Sequence, residues 1–299
     1  MVAAERLSQS RLAARSTRNQ WRWAIVSRLG HKIDGPSAKE ARPLCFDHDS
    51  HPPILPIAGG ALDSTELTLT AADGNRITAF LARAAEPSGA GMVILPDVRG
   101  LHAYYEELAL RFAEHGIDAI AFDWFGRTAG LGRREEGHDY MPHVSASTWA
   151  GHSADVAAAT AHLRSVDGAP TDVFTVGFCF GGRTSFLAAT LGLGLAGVIG
   201  FYGPPVGPGR GGSPEPAAVA DRMASPVLGL FGGADHAIPP EAIASFEAAL
   251  EQLGVDHRLV VYPGAPHSFF DRKAADYAEA SESAWAEILA FIDGHRKTA

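Results

Sequence analysis

The stretch Thr175-Val176-Gly177-Phe178-Cys179-Phe180-Gly181-Gly182 leaves few folds open to this chain. Residues 172–176 read as an apolar strand and those after Gly181 as a helix, with a reactive side chain between them and glycine two positions to either side. That spacing suits a sharp strand-to-helix turn, which lifts the side chain above a sheet in a strained backbone conformation. The small flanking residues let strand and helix approach closely. The helix N-terminus beside Cys179 also favours negative charge, on a thiolate or on a developing oxyanion. A cysteine alone reads most often as a core residue; in this strand–turn–helix setting it reads as a nucleophile.

The rest of the chain continues the alternation. Segments 66–70 and 76–83 flank Ala72-Asp73-Gly74-Asn75 and read as a hairpin. Further strands are expected at 92–95, 118–122, 196–201, 227–231 and 257–262, and helices at 105–114, 147–165, 240–253 and 275–292. A Gly- and Arg-rich loop over 124–145 is long enough to suggest function. Apolar strands alternating with helices predict an α/β fold: a mostly parallel central sheet, helices on both faces and an N-terminal β-hairpin.

With 299 residues, one catalytic domain of roughly 200–250 residues plus an extension accounts for the length. The expected division is 1–63, a basic N-terminal extension (Arg6, Arg11, Arg15, Arg18, Arg22, Arg28, Lys32, Lys39) and Pro-containing linker, partly disordered, and 64–299, the catalytic domain. A net charge of −9 argues against a nucleic-acid partner. No apolar stretch approaches the ~18 residues of a membrane span. Two cysteines, Cys45 and Cys179, are too few for a disulfide framework, which points to a reduced, cytoplasmic setting. Oligomer contacts leave no legible pattern, and a monomer is the default expectation.

A thiol nucleophile needs a histidine base and a carboxylate to orient it, in the chain order nucleophile, acid, histidine. Asp235, in Phe231-Gly-Gly-Ala-Asp235-His236, and His267, in Tyr262-Pro-Gly-Ala-Pro-His267, both follow expected strands, and catalytic groups of open α/β sheets gather at that edge. His267 would take the thiol proton, and Asp235 would fix its tautomer. Gly192-Leu-Gly194-Leu-Ala-Gly197 and Gly207-Pro-Gly209-Arg-Gly-Gly212 match a dinucleotide pattern, but neither follows a strand and opens a helix. Asp47-His48-Asp49-Ser50-His51 lacks partner spacing for a metal. No metal or organic cofactor is expected.

Gly-Phe-Cys179-Phe-Gly-Gly, Gly-Gly-Ala-Asp235-His and Gly-Ala-Pro-His267-Ser-Phe together resemble the dienelactone hydrolase (carboxymethylenebutenolidase) family of α/β-hydrolases, over about 67–292. The resemblance implies an α/β-hydrolase fold without a large lid domain, and hydrolysis of an enol-lactone. It implies a catalytic acidic residue that lies close to the cysteine and takes part in its activation: Asp97, in Leu95-Pro-Asp97-Val98-Arg99-Gly100, where the family has the longer glutamate. It also implies an oxyanion hole made by the N–H groups of Val98 and Phe180. Family members hold a substrate carboxylate with two arginines, one shortly after the histidine; here Arg272 is displaced by one position and Asp271 stands in the expected place. Substrate-contact candidates are therefore Arg99, Tyr202 and Arg272, with Arg127, Arg133 and Arg134 as further choices for the second arginine. The expected partner is a small ester or lactone. The alternatives are a general esterase or thioesterase, or a non-catalytic ligand-binding or thiol-sensing protein on the same fold.

Overall fold

The computed structural model describes residues 50–271 and 273–297. Cys45, the Asp47, His48 and Asp49 cluster, the expected extension up to residue 49, and Arg272 lie outside the described residues. Strands β1 (Ala61–Thr70) and β2 (Arg76–Ala84) form the expected antiparallel hairpin, with Thr70 paired to Arg76. Gly74 takes a φ of 82° in the connecting turn, a conformation that favours glycine.

The alternating part follows: β3 (Ala90–Leu95), α1 (Ala103–Glu114), β4 (Asp118–Phe122), α2 (Gly126–Ala129), α3 (Met141–Ala146), α4 (Trp149–Leu163), β5 (Asp172–Phe178), α5 (Phe180–Ala188), β6 (Gly197–Phe201), β7 (Val227–Gly232), α6 (Pro240–Leu253), β8 (His257–Tyr262) and α7 (Ala278–His295). One eight-stranded sheet has the order β1-β2-β4-β3-β5-β6-β7-β8. β2 pairs antiparallel with β4, and every pairing from β4 through β3 to β8 is parallel.

All residues of β3, β4, β5, β6 and β7 are buried. Successive strand residues point to opposite faces, so a wholly buried strand is covered on both. The helices supply that cover, with α1 against β2 and β4, α4 against β3 and β4, α5 against β5 and β6, and α7 against β6 and β7. The 124–145 loop differs from expectation in carrying two short helices, α2 and α3, of four and six residues. Both are too short for an apolar period to show in sequence. No described helix is long and apolar enough to cross a membrane.

The strand order also fixes where chemistry can gather. β4 lies on one side of β3 and β5 on the other, so the connections leaving β3 and β5 diverge and open a crevice at their carboxyl ends. Leu95 pairs with Gly177 at that edge, which sets Asp97 and Val98 beside Cys179 and Phe180. Because β3 through β8 run parallel, Trp124, Tyr202, Asp235 and His267 leave the sheet at the same edge.

Candidate active site

Cys179 is the turn between β5 and α5, with φ 54° and ψ −110°. This is a costly conformation for a residue with a side chain, and the surroundings enforce it. A Cβ on Gly177 would lie 2.0 Å from the Gly181 carbonyl oxygen, and one on Gly181 would lie 2.1 Å from that of Leu95. Strand, turn and neighbouring strand are thus packed backbone to backbone. The Cys179 N–H donates to Phe201 O at 3.0 Å, and the side chain is partly exposed.

His267 and Asp235 come from the loops after β8 and β7. His267 Nδ1 lies 2.7 Å from Asp235 Oδ2, and Ala237 N–H donates to Asp235 Oδ1 at 2.9 Å. Both side chains are buried. Burial alone would depress the imidazole; the bond to Asp235 and the nearby Cys179 sulfur outweigh it and lift the His267 pKa to about 10. Nε2 is buried and has no hydrogen-bond partner of normal geometry.

Asp97 is buried and does not hydrogen-bond Cys179 among the described residues. Its carboxylate accepts from Arg99 N–H at 2.9 Å and from Arg99 Nε at 3.3 Å, and its own N–H donates to the Tyr105 hydroxyl at 2.9 Å. Burial raises the Asp97 pKa against the opposing pull of Arg99. Arg99 Nη2 also donates to His102 Nε2 at 3.1 Å, while His102 Nδ1 donates to Gly100 O at 3.0 Å. The turn that carries Val98 is thus held from several directions. Among the described residues, neither the Val98 nor the Phe180 N–H donates to a protein acceptor.

Tyr202 leaves β6 with φ 36°, fully buried, its ring centroid 4.8 Å from that of His267. Its hydroxyl donates to Asp271 Oδ2 at 2.9 Å, and Asp271 is itself buried. The described candidates for a second substrate-binding arginine are paired with acids. Arg127 bonds Asp73 at 2.7 Å and also Asp155, Arg133 bonds Glu106 at 2.7 Å, and Arg134 bonds Asp123 at 2.6 Å.

His152 has no part in the sequence-based expectations. It packs edge-on to Trp124 at 5.1 Å and Phe180 at 5.0 Å, with both ring nitrogens buried and without partners. Burial and then Arg127 push its pKa down to about 4, so the ring is neutral. A signal for it exists in the sequence, since it falls on the stripe of α4 that continues through Val156, Ala159 and Leu163. As for metals, Glu247, Glu251 and His257 present ligand atoms within 4.8 Å of one another, on α6 and β8 rather than beside Cys179. His51, from the Asp/His cluster, instead bonds Glu107 at 2.7 Å.

Residues 77–295 match the model of the dienelactone hydrolase family. The chain belongs to that family. This hydrolase is 28% identical over 233 residues to a "putative carboxymethylenebutenolidase" of Yersinia pestis, covering 76% of this chain and 87% of the relative. A Synechocystis protein of the same name is 30% identical, with 68% and 87% covered. Among solved structures, a "putative dienelactone hydrolase" from Klebsiella pneumoniae superposes with a TM-score of 0.66 at 28% identity, covering 77% of this chain and 98% of its own. The sheet and its helices are those of the α/β-hydrolase fold, and the protein is a hydrolase acting on esters or lactones.

Proposed function

We propose that this dienelactone hydrolase family member cleaves a small activated ester or lactone through an acyl-Cys179 intermediate, with His267 as acid and base and Asp235 as the group that orients it. The observation that carries this reading is the buried His267–Asp235 pair, in which Nδ1 faces the carboxylate and Nε2 is left as the nitrogen to serve Cys179, a group whose nearness raises the His267 pKa.

The Cys179 thiolate adds to the substrate carbonyl carbon, and the carbonyl electrons move to oxygen. The unused N–H groups of Val98 and Phe180 stabilise that charge, which exists only in the transition state and intermediate. As the C–O bond breaks, the imidazolium of His267 protonates the departing enolate or alkoxide, which in a lactone stays tethered to the acyl group. Neutral His267 then takes a proton from water as its oxygen attacks the thioester. Collapse expels the thiolate, releases the acid and leaves His267 protonated again. Asp97 acts as a positioning residue, its carboxylate bonded to Arg99 and so bracing the turn that presents the Val98 N–H.

A thiolate is itself a good leaving group, so the first intermediate reverts unless the competing oxygen departs easily. Enol and aryl esters, enol-lactones and thioesters meet that condition better than simple alkyl esters. The test compares hydrolysis of a dienelactone and of an activated ester by wild type and Cys179→Ala. Lactone opening that disappears in the variant supports chemistry and substrate together. Cys179-dependent turnover of the ester alone keeps the chemistry and makes the protein a general esterase. Turnover of neither, or turnover that survives the substitution, overturns the reading.

A further inference from the structure

Helix α1 opens on a residue that does not cap it. Asn, Asp, Ser and Thr lead at this position, because a short side chain can accept from the first free N–H groups of a helix. Here the N-cap is His102, with φ −148° and ψ 176°, and its side chain makes no capping bond. The residue is buried nonetheless, so its ring nitrogens need partners elsewhere.

They find them in the turn after β3. Nδ1 lies 3.0 Å from Gly100 O, and Nε2 lies 3.1 Å from Arg99 Nη2. A carbonyl can only accept and a guanidinium can only donate. The ring therefore carries its proton on Nδ1 and offers the Nε2 lone pair to Arg99, a tautomer set from both sides. The Tyr105 ring packs against it at 4.8 Å and 87°, and the Tyr105 hydroxyl accepts the Asp97 N–H.

Arg99 passes the constraint on. Its Nε donates to Asp97 Oδ2 at 3.3 Å, and its backbone N–H donates to Asp97 Oδ1 at 2.9 Å. The Gly100 N–H closes the same turn on Asp97 O at 3.2 Å. A guanidinium is planar and rigid, so a bond at Nη2 also fixes the direction in which Nε points. Val98 lies between the two ends of this clamp, and its N–H donates to no protein acceptor among the described residues.

We infer that His102 is a positioning residue for the oxyanion hole: through Arg99 and Asp97 it sets the direction of the Val98 N–H. The inference rests on the proposed acyl-Cys179 chemistry, in which that N–H faces the developing negative charge. Acylation and deacylation both pass through an oxyanion, so a misdirected donor slows both steps. kcat then falls, while KM, which depends on the ratio of the two rates, holds.

Two amide substitutions separate this role from a structural one. His102→Gln puts an oxygen near the place of Nε2 and keeps an acceptor for Arg99. His102→Asn is shorter and leaves Arg99 without that acceptor, yet Asn is a preferred N-cap, so α1 should be at least as stable. Wild type, both variants and Cys179→Ala are compared on para-nitrophenyl acetate, with Tm measured alongside.

The expected result for His102→Asn is a loss of about ten- to a hundredfold in kcat at unchanged KM, somewhat less than removal of a whole oxyanion donor. Its Tm should equal or exceed that of wild type, and His102→Gln should recover most of the lost kcat. Near-wild-type kcat in His102→Asn, an equal loss in both variants, or a loss that follows Tm would overturn the inference. A rise in KM at constant kcat would make His102 a substrate contact and overturn it equally. In each of these cases Cys179-dependent turnover would leave the proposed function in place. Turnover that persists in Cys179→Ala would overturn the proposed function and this inference with it.

Discussion

The Nδ1 atom of His267 sits 2.7 Å from Oδ2 of Asp235, with side-chain exposures of 6% and 1%. A buried carboxylate at that distance holds the imidazole in one tautomer and stabilises its protonated form. Asp235→Asn keeps the shape and removes the charge. The expected loss in kcat is on the order of a hundred- to ten-thousand-fold, with circular dichroism and Tm close to wild type. Near-normal turnover by a folded Asp235→Asn would show that Asp235 does not serve His267 in catalysis.

The charge state of His267 can be followed directly. Its pKa of about 10 stands above the ordinary histidine value because the Asp235 bond and the Cys179 sulfur overcome the effect of burial. Imidazole chemical shifts should therefore report a protonated ring well past neutral pH, and Cys179→Ala should lower the midpoint. A group whose folded pKa is raised stabilises the fold fully below its unfolded value and loses that contribution as pH rises through the folded value. The stability advantage of wild type over Cys179→Ala should accordingly shrink between about pH 6.5 and 10. An unchanged His267 midpoint in the variant would mean that sulfur and ring do not interact.

Gly181→Ala tests the close packing at the turn. The added Cβ would meet the Leu95 and Pro96 carbonyl oxygens at 2.1 and 2.3 Å, both fixed backbone atoms. Destabilisation of about 3 kcal/mol or more is expected, seen as a lower urea midpoint or as insoluble protein. A soluble variant with the wild-type midpoint would contradict this backbone arrangement.

His152→Phe removes two buried, unpartnered nitrogens while retaining a ring against Trp124 and Phe180. Since an unsatisfied buried polar group costs about 1–3 kcal/mol, Tm should hold or rise, and kcat/KM should stay within a few-fold. A marked fall in Tm would mean that His152 makes polar bonds in solution, and a selective fall in kcat/KM would mean that it contacts substrate.

Much of this architecture is legible in the chain because its signals are local. The expected bounds 118–122, 240–253 and 257–262 coincide with β4, α6 and β8, each an apolar or amphipathic run closed by glycine, proline or a charged residue. The Gly-x-Cys-x-Gly spacing likewise marks the turn at Cys179, although α5 starts at Phe180 itself, since Cys179 is its N-cap. Asp235 and His267 are visible because each lies a few residues beyond a strand, and the parallel sheet brings strand ends together. What escapes is the long-range polar pairing. Arg127 meets Asp73 across 54 residues and Tyr202 meets Asp271 across 69, with nothing in either neighbourhood to name its partner. For the same reason, Arg99, Arg127, Arg133 and Arg134, which the resemblance offers as substrate contacts, are seen in ion pairs within the protein only once the fold is known. His152 is half legible, since the helix stripe predicts its burial but not its lack of partners.

The most direct test of the central claim is the mass of the covalent intermediate. Wild type mixed with an activated ester, quenched in acid within the first turnovers and digested, should yield the peptide containing Cys179 with the acyl mass added. The label should accumulate in His267→Ala, where deacylation lacks its base, and vanish in Cys179→Ala. Acyl mass on another residue, or full hydrolysis by Cys179→Ala, would contradict Cys179 as the nucleophile.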